Sequence, residues 1–294
     1  MVVFEVLNWA TRYLRDHAIE NPRLNAELLL ACSLNLSKEG LYVHLQDPLG
    51  KEEEKVLEEL IDRRVSGEPL QYILGHQEFW SIDLNVDPRV LIPRPETELL
   101  VEQALSVLSK IPLENTCSVL EVGTGSGAIS IALAREAGAV SLVATDISRE
   151  ALLLARQNAD KAGVSEKIVF VQGDLFSPFR LLEGRGPFDL ILSNPPYIVR
   201  SEMIGLAREV KDFEPALALD GGEDGFLFHR KIIFQSPKYL RRGGWLLLEV
   251  GQGQARGVSE MMERDGTFDS VGRIQDLSGI ERVVKGRKKI ENGG

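Results

Sequence analysis

The run Val119-Leu120-Glu121-Val122-Gly123-Thr124-Gly125-Ser126-Gly127-Ala128 constrains the fold most, because a short apolar stretch turns through alternate glycines straight into a helical pattern. Glycine permits the positive φ that such a turn needs and lets a ligand approach the backbone closely. The chain keeps the same rhythm afterwards. Strand signals fall at Ser118–Leu120, Ser141–Thr145, Ile168–Gln172, Asp189–Ser193 and Trp245–Val250, with weaker ones near Ser270–Gln275 and Arg282–Val284. Helical patterns lie between them at Ala128–Arg135, Arg149–Ala162, Phe226–Leu240 and Ala255–Glu263, and Ser148 is placed to cap the second. This alternation predicts an α/β fold, a seven-stranded, mainly parallel sheet with helices on both faces.

The first residues read differently. Val3, Val6, Leu7, Ala10 and Leu14 keep helical spacing, as do Leu24, Leu28 and Ala31, and then Val56, Leu57, Leu60 and Ile61. Strict alternation begins at Ile82, Leu84 and Val86, and a second short strand at Val90–Ile92 would follow the Asp87-Pro88-Arg89 turn to complete a hairpin. The expected organisation is a small all-helical domain at 1–75, a hairpin linker at 76–92 and an α/β domain at 93–294.

Composition narrows the function. The net charge of -10 opposes broad capture of a phosphate backbone, which weighs against nucleic acid as substrate. The basic run Lys285-Gly286-Arg287-Lys288-Lys289 reads as a solvated tail. Two cysteines far apart and four histidines without cluster spacing predict neither a disulfide framework nor a metal site. The apolar runs fall far short of the roughly 20 residues that a bilayer span requires, so a soluble, cytoplasmic protein is expected.

Asp146 follows the second strand of the sheet, about 20 residues beyond the glycine turn, where a carboxylate can accept both hydroxyls of a ribose. The pair reads as a site for a nucleoside-containing cofactor. Gly123, Gly125 and Ala128 satisfy the dinucleotide fingerprint of nicotinamide and flavin enzymes, which keeps an oxidoreductase open. The clustering Glu121-x-Gly123-x-Gly125-x-Gly127, with Thr124 and Ser126 between, resembles instead the first motif of S-adenosylmethionine-dependent methyltransferases. That resemblance implies that the turn wraps the amino-acid end of the cofactor, that Asp146 holds the ribose, and that Asp174 and Leu175 after the third strand meet the adenine.

Asn194-Pro195-Pro196-Tyr197 follows the fourth strand and therefore lies at the carboxyl edge of the sheet. A planar NH2 group delocalises its lone pair, so a catalyst of its methylation must hold both N–H groups with acceptors and fix the nitrogen in line with an electrophilic carbon. The Asn194 side-chain oxygen and the Pro195 carbonyl offer such acceptors, Pro196 stiffens the loop, and the Tyr197 ring can cover the substrate plane. Adenine N6, guanine N2 and a glutamine amide all fit this description.

A longer resemblance separates them. Gly67-Glu68-Pro69-Leu70-Gln71-Tyr72-Ile73-Leu74-Gly75, Phe79-Trp80, and Val90-Leu91-Ile92-Pro93-Arg94-Pro95-Glu96-Thr97-Glu98-Leu99-Leu100-Val101-Glu102 resemble the linker signature of peptide chain release factor glutamine methyltransferases. The likeness continues through the glycine turn, the tetrapeptide, Ala218–Gly225 and Gly243–Gly251, so it spans nearly the whole chain. It implies a Rossmann-like class I methyltransferase sheet with a helical N-terminal domain that docks class 1 release factors. It also implies transfer of a methyl group from S-adenosylmethionine, without a metal, to the Gln of a Gly-Gly-Gln loop; an exocyclic amine of a nucleic-acid base is the alternative. Arg94 and Glu96 are candidates to line the substrate cleft or to form an ion pair with each other, and His229 reads as a helix residue without a catalytic role. Two positions depart from the pattern: Leu175 stands where some relatives carry an aromatic residue, and Trp80-Ser81 where a glycine is common.

Overall fold

The computed structural model describes residues 1–111, 116–184 and 186–290, so the expected span 93–294 ends outside the described residues. The chain forms two units, Met1–His76 with Ala207–Phe213, and Gln77–Leu206 with the residues from Glu214 onward.

The first unit contains α1 (Val3–Asp16), α2 (Pro22–Ser33), α3 (Lys38–Val43), α4 (Lys51–Val65) and α5 (Leu70–Leu74). In α1 the expected stripe of Val3, Val6, Leu7, Ala10 and Leu14 is buried throughout. In α2 the buried face is Ala26, Leu29 and Leu30, whereas Leu24 is exposed and Leu28 half-buried, and in α4 Val56 is exposed beside buried Leu57 and Ile61. Leucine-rich stretches satisfy more than one helical register, and packing chooses between them. Buried Arg64 ties this unit together: it donates to Asn25 Oδ1 and to the Glu68 carbonyl, each at 2.8 Å, and pairs with Glu209 at 2.8 Å. The run from Gly67 to Gly75 is thus partly a structural corner, closed by Gly75 at φ +80°.

β1 (His76–Phe79) and β2 (Ile82–Asn85) form a two-stranded sheet. This corrects the expected hairpin, in which Val90–Ile92 was the second strand. Val90 N donates to the Asp87 carbonyl at 3.1 Å, and Asp87 also accepts from Arg89, so the segment is a turn whose alternating Val90 and Ile92 are buried outside any strand. The connection between β1 and β2 is Trp80-Ser81, both at φ +53°, the backbone of a type I′ turn. Glu98 accepts the Trp80 N–H at 2.8 Å.

The main sheet is seven-stranded and mainly parallel. It comprises β3 (Cys117–Val122), β4 (Val140–Asp146), β5 (Ile168–Gln172), β6 (Phe188–Ser193), β7 (Leu240–Glu249), β8 (Phe268–Gln275) and β9 (Glu281–Lys288), in the order β5-β4-β3-β6-β7-β9-β8. The pairs from β5 to β7 are parallel, and β9 runs antiparallel to both β7 and β8. β6 is buried along its whole length, as a central strand with helices on both faces must be. One face packs against α6 (Glu98–Leu108) and α7 (Ala128–Glu136), the other against the helices Leu227–Gln235 and Ala255–Asp265. The helix expected at Phe226–Leu240 ends at Gln235, because Leu240 opens β7. The basic run is not a tail. It lies mostly in β9, where Arg287 donates to Asp269 and Lys285 to Gln103. Among the described residues, no helix is long and apolar enough to cross a membrane.

Candidate active site

The strand order sets the position of the site. The chain leaves β3 towards β4 and β5 on one side, then returns to β6 and β7 on the other, so β3 and β6 flank a switch point where the loops diverge. A cavity of about 220 Å³ opens there, bounded by the glycine turn, the ends of β4 and β6, and the segment Pro215–Ala218.

The turn is built by its own hydrogen bonds. Gly123 and Thr124 donate to the Thr145 carbonyl at 2.8 and 2.9 Å, and Gly125 N donates to Asp146 Oδ2 at 2.9 Å. Gly125 has φ +54° and open space where a Cβ would stand, so its backbone is presented to the cavity. At Gly127, φ +84°, a Cβ would come within 3.1–3.2 Å of Ile131 and Ala155, which explains a residue without a side chain at the start of α7. Thr124 and Ser126 line the cavity but serve the turn: Thr124 donates to Glu121, and the Ser126 carbonyl accepts from Asn158 at 2.9 Å. Asn158, on the helix α8 (Arg149–Lys161), also exchanges hydrogen bonds with the backbone of Asn85. The predicted Ser148 cap of α8 is present, accepting from Ala151 N at 3.1 Å.

Glu121 is 1% exposed. Its Oε2 accepts from Thr124 Oγ1 at 2.8 Å, from Ser130 N at 3.1 Å and from Ser130 Oγ, whereas Oε1 has no hydrogen-bond partner among the described residues. Burial pushes this carboxyl up to about 7, against the pull of its three donors. Asp146 accepts from Gly125 N and Ser148 N at 2.9 Å each, and burial likewise raises its pKa. A carboxylate has about four lone-pair sites, so both oxygens can take a further donor. Asp174 and Leu175 line the far end of the cavity; Asp174 is exposed and Leu175 sits at φ +49°. An unpartnered buried carboxylate oxygen, an open glycine backbone and a second carboxylate at the end of the neighbouring strand fit a ligand with an ammonium group and a ribose.

Asn194, Pro195 and Pro196 line the cavity beside this cradle. Asn194 Nδ2 donates to Thr97 Oγ1 at 3.1 Å. Tyr197 is half-buried and outside the cavity lining, with its carbonyl accepting from Gln254 Nε2 at 2.9 Å. Burial, then the charge of Glu249, pushes its phenol up to about 12, so it stays neutral. Arg94 lines the cavity and pairs with buried Glu214, which also lies 3.4 Å from Ile92 N. Glu96 does not line it and faces Arg282 at 3.9 Å, so of the two alternatives read for Arg94 and Glu96, cleft lining holds for Arg94 alone and the ion pairs are made elsewhere: two residues apart at the entry to α6, they turn to different partners. His229 is fully buried in its helix with Nε2 at 2.9 Å from the Glu249 carbonyl, a structural position.

Sequence reasoning assigned no role to Thr97, Glu249, Asn158, Glu214 or Gln254. Glu249 had a signal: it is an acid within the otherwise apolar run Trp245–Val250. Such a residue in a buried strand requires an explanation.

This fold with this cradle defines an S-adenosylmethionine-dependent methyltransferase of class I. A family described as methyltransferase domain matches residues 113–268, and one described as PrmC N-terminal domain matches residues 5–75. The fold is shared with a methyltransferase from Pyrococcus furiosus (TM-score 0.51, 20% identity, 71% of this chain and 90% of that one). It is shared as well with a human methyltransferase 10 domain containing protein (TM-score 0.53, 16% identity, 70% and 88%). Sequence relatives are closer. The chain is 44% identical to the release factor glutamine methyltransferase of Geobacter sulfurreducens, covering 96% of this chain and 95% of that protein. It is 43% identical to that of Koribacter versatilis (98% and 99%) and 35% identical to that of Bacillus cereus (97% and 98%). The chain belongs to the release factor glutamine methyltransferase family.

Proposed function

We propose that this protein methylates the side-chain amide nitrogen, N5, of the Gln in the Gly-Gly-Gln loop of class 1 peptide chain release factors, in the cytoplasm. The observation that carries this reading is Asn194, whose Nδ2 is engaged by Thr97 so that Oδ1 remains to accept an N–H at the switch point of the sheet. Bound S-adenosylmethionine supplies an electrophilic methyl group and leaves as S-adenosylhomocysteine. Glu121 Oε1 and the backbone from Gly123 to Gly127 hold its amino-acid end, Asp146 the ribose, and Asp174 and Leu175 the adenine.

The acceptor amide gives one N–H to Asn194 Oδ1 and the other to the Pro195 carbonyl. Two donated hydrogen bonds fix the plane of the amide and keep electron density on nitrogen as its lone pair leaves conjugation. The N–C bond forms as the methyl–sulfur bond breaks, and an N–H proton then departs to solvent. Alignment of this kind is worth up to roughly 7–11 kcal/mol of barrier. Tyr197, neutral at working pH, contributes its ring and not a base. Arg94 belongs to the acceptor side, held by Glu214, with Glu96 at the rim. The helical unit, 1–75, docks the release factor, the residues around 76–92 serve as linker, and the α/β residues from 93 onward carry the chemistry.

The test is methyl transfer from labelled S-adenosylmethionine to a purified class 1 release factor, with total tRNA, rRNA and DNA in parallel, followed by mass mapping. Label on the Gly-Gly-Gln glutamine is expected. Label on nucleic acid alone, or none, would overturn the acceptor assignment.

A further inference from the structure

The residue that orients Asn194 comes from the Val90–Glu102 signature. Thr97 is buried at the entry to α6, and its hydroxyl accepts the Asn194 amide hydrogen at 3.1 Å. Hydrogen bonding from Thr97 and from Asn194 pulls down the pKa of Glu249, the last residue of β7, against the larger upward push of burial. β6 and β7 are paired with Ser193 opposite Leu248, which brings the residues that follow, Asn194 and Glu249, side by side. Glu249 is 2% exposed, and its Oε2 has no hydrogen-bond partner among the described residues.

Donor and acceptor capacity then dictates one arrangement. An ionised carboxylate only accepts, and a hydroxyl has one hydrogen to give. Beside Glu249 the Thr97 hydroxyl directs that hydrogen to the carboxylate, which leaves Asn194 nothing but an oxygen lone pair. Asn194 must therefore turn its NH2 to Thr97 and its Oδ1 to the cavity. Without an obligate acceptor behind it, Thr97 can donate to Oδ1 instead. The amide can then turn over and present donors to a substrate NH2 that itself donates.

We propose that Glu249, acting through the Thr97 hydroxyl, is the positioning residue that fixes Asn194 with its carbonyl oxygen toward the acceptor. This rests on the reading of the acceptor as a planar NH2 group. The ionisable groups facing Glu249 come from four elements: Glu96 at the entry to α6, Arg282 on β9, Tyr197 after β6, and buried His229, whose Nε2 meets the Glu249 carbonyl. Burial pushes Glu249 up to about 7, so the lock closes as pH rises through that value and opens below it.

Two measurements on the full chain test this. In the first, without substrate, the side-chain NH2 resonances of Asn194 are followed from pH 5.5 to 8.5 (about ±1.5 units around the carboxyl value), after assignment by their loss in Asn194→Asp. One transition near pH 7 is expected in the wild type and none in Glu249→Gln, while in Thr97→Val it should shrink to what the direct neighbourhood of Glu249 and Asn194 supplies. In the second, with release factor and S-adenosylmethionine, both variants should lower kcat by about 10- to 100-fold, lose the acid limb of the pH profile, and leave cofactor Kd within about twofold. Thr97→Ser, which keeps the hydroxyl, should recover most of what Thr97→Val loses. An unchanged Asn194 titration in Glu249→Gln, or an acid limb that survives it, would overturn the proposal. A wild type that methylates no release factor would fail the acceptor assignment alone, since the substrate-free titration still decides the positioning role.

Discussion

Replacing Glu121 by Gln should flatten the pH dependence of stability in the cofactor-free protein. Glu121 is 1% exposed, and its folded-state carboxyl stands at about 7 against an ordinary 4.5, chiefly because burial penalises the charged form. The folded pKa is raised, so the fold binds the proton more tightly than the unfolded chain does. The contribution of this group is fully present below about pH 4.5, is lost as pH rises through about 7, and then levels off. The gap is worth roughly 3 kcal/mol at 1.36 kcal/mol per pKa unit. Urea unfolding at pH 5 and pH 8 would measure it. Wild type should lose about 2–3 kcal/mol more across that interval than Glu121→Gln. The comparison uses the slope, because the variant also places N–H donors where Oε1 has no hydrogen-bond partner among the described residues, at about 1–3 kcal/mol independent of pH. Glu249 carries the same sign in both proteins and cancels. An equal fall in the two proteins would refute the argument that burial, not hydrogen bonding, governs this carboxyl.

Asp146→Ala removes the acceptor of Gly125 N and Ser148 N as well as the proposed ribose contact, so cofactor Kd by calorimetry should rise about 10- to 100-fold. Asn194→Ala should abolish turnover in the methyl-transfer assay by at least about 100-fold while cofactor binding survives. Ser81→Gly relieves a left-handed residue at φ +53° in the β1–β2 turn; with glycine's entropy set against it, denaturant unfolding should show a gain of about 0.5–1 kcal/mol. At Gly221 an added Cβ would stand 2.7 Å from backbone atoms of Tyr197, so Gly221→Ala should cost about 1–3 kcal/mol and depress kcat more than cofactor affinity.

The side of the cavity around the glycine turn was legible because its residues are contiguous or one strand apart. The glycine turn, Glu121 and Asp146 follow from a strand–turn–helix rhythm, and the sheet follows from the same alternation. The side around Asn194 is assembled from distant segments, with Thr97 standing 97 residues from Asn194, and hydrophobic period carries no information about such contacts. The hairpin was misplaced for a related reason. Val90 and Ile92 are buried alternately and imitate a strand, whereas the true partner of β2 is the polar segment His76-Gln77-Glu78, which no apolar alternation marks. The basic run in β9 was misjudged because charge counts say nothing about cross-strand partners such as Asp269.

Glu121 and Glu249 are both buried, both carry an oxygen without a hydrogen-bond partner among the described residues, and both are pushed up to about 7, yet their surroundings assign them opposite tasks. Glu121 lines the cavity and is poised to meet a cation, whereas Glu249 lies behind the cavity wall, against Thr97 and Asn194. Burying either as a carboxylate opposes folding, so a stability optimum alone would replace them with neutral residues. Ionisation of Glu249 is nevertheless what leaves the Thr97 hydroxyl with one direction to donate. The pH range in which the cofactor-free fold weakens is therefore the range in which its acceptor site becomes ordered. Turnover should climb between pH 6 and 8 (about one unit either side of the shared carboxyl value) while unfolding free energy falls, and in Glu249→Gln both slopes should shrink together. Parallel slopes of the same sign in the wild type would break the link between the buried charge and the orientation of Asn194.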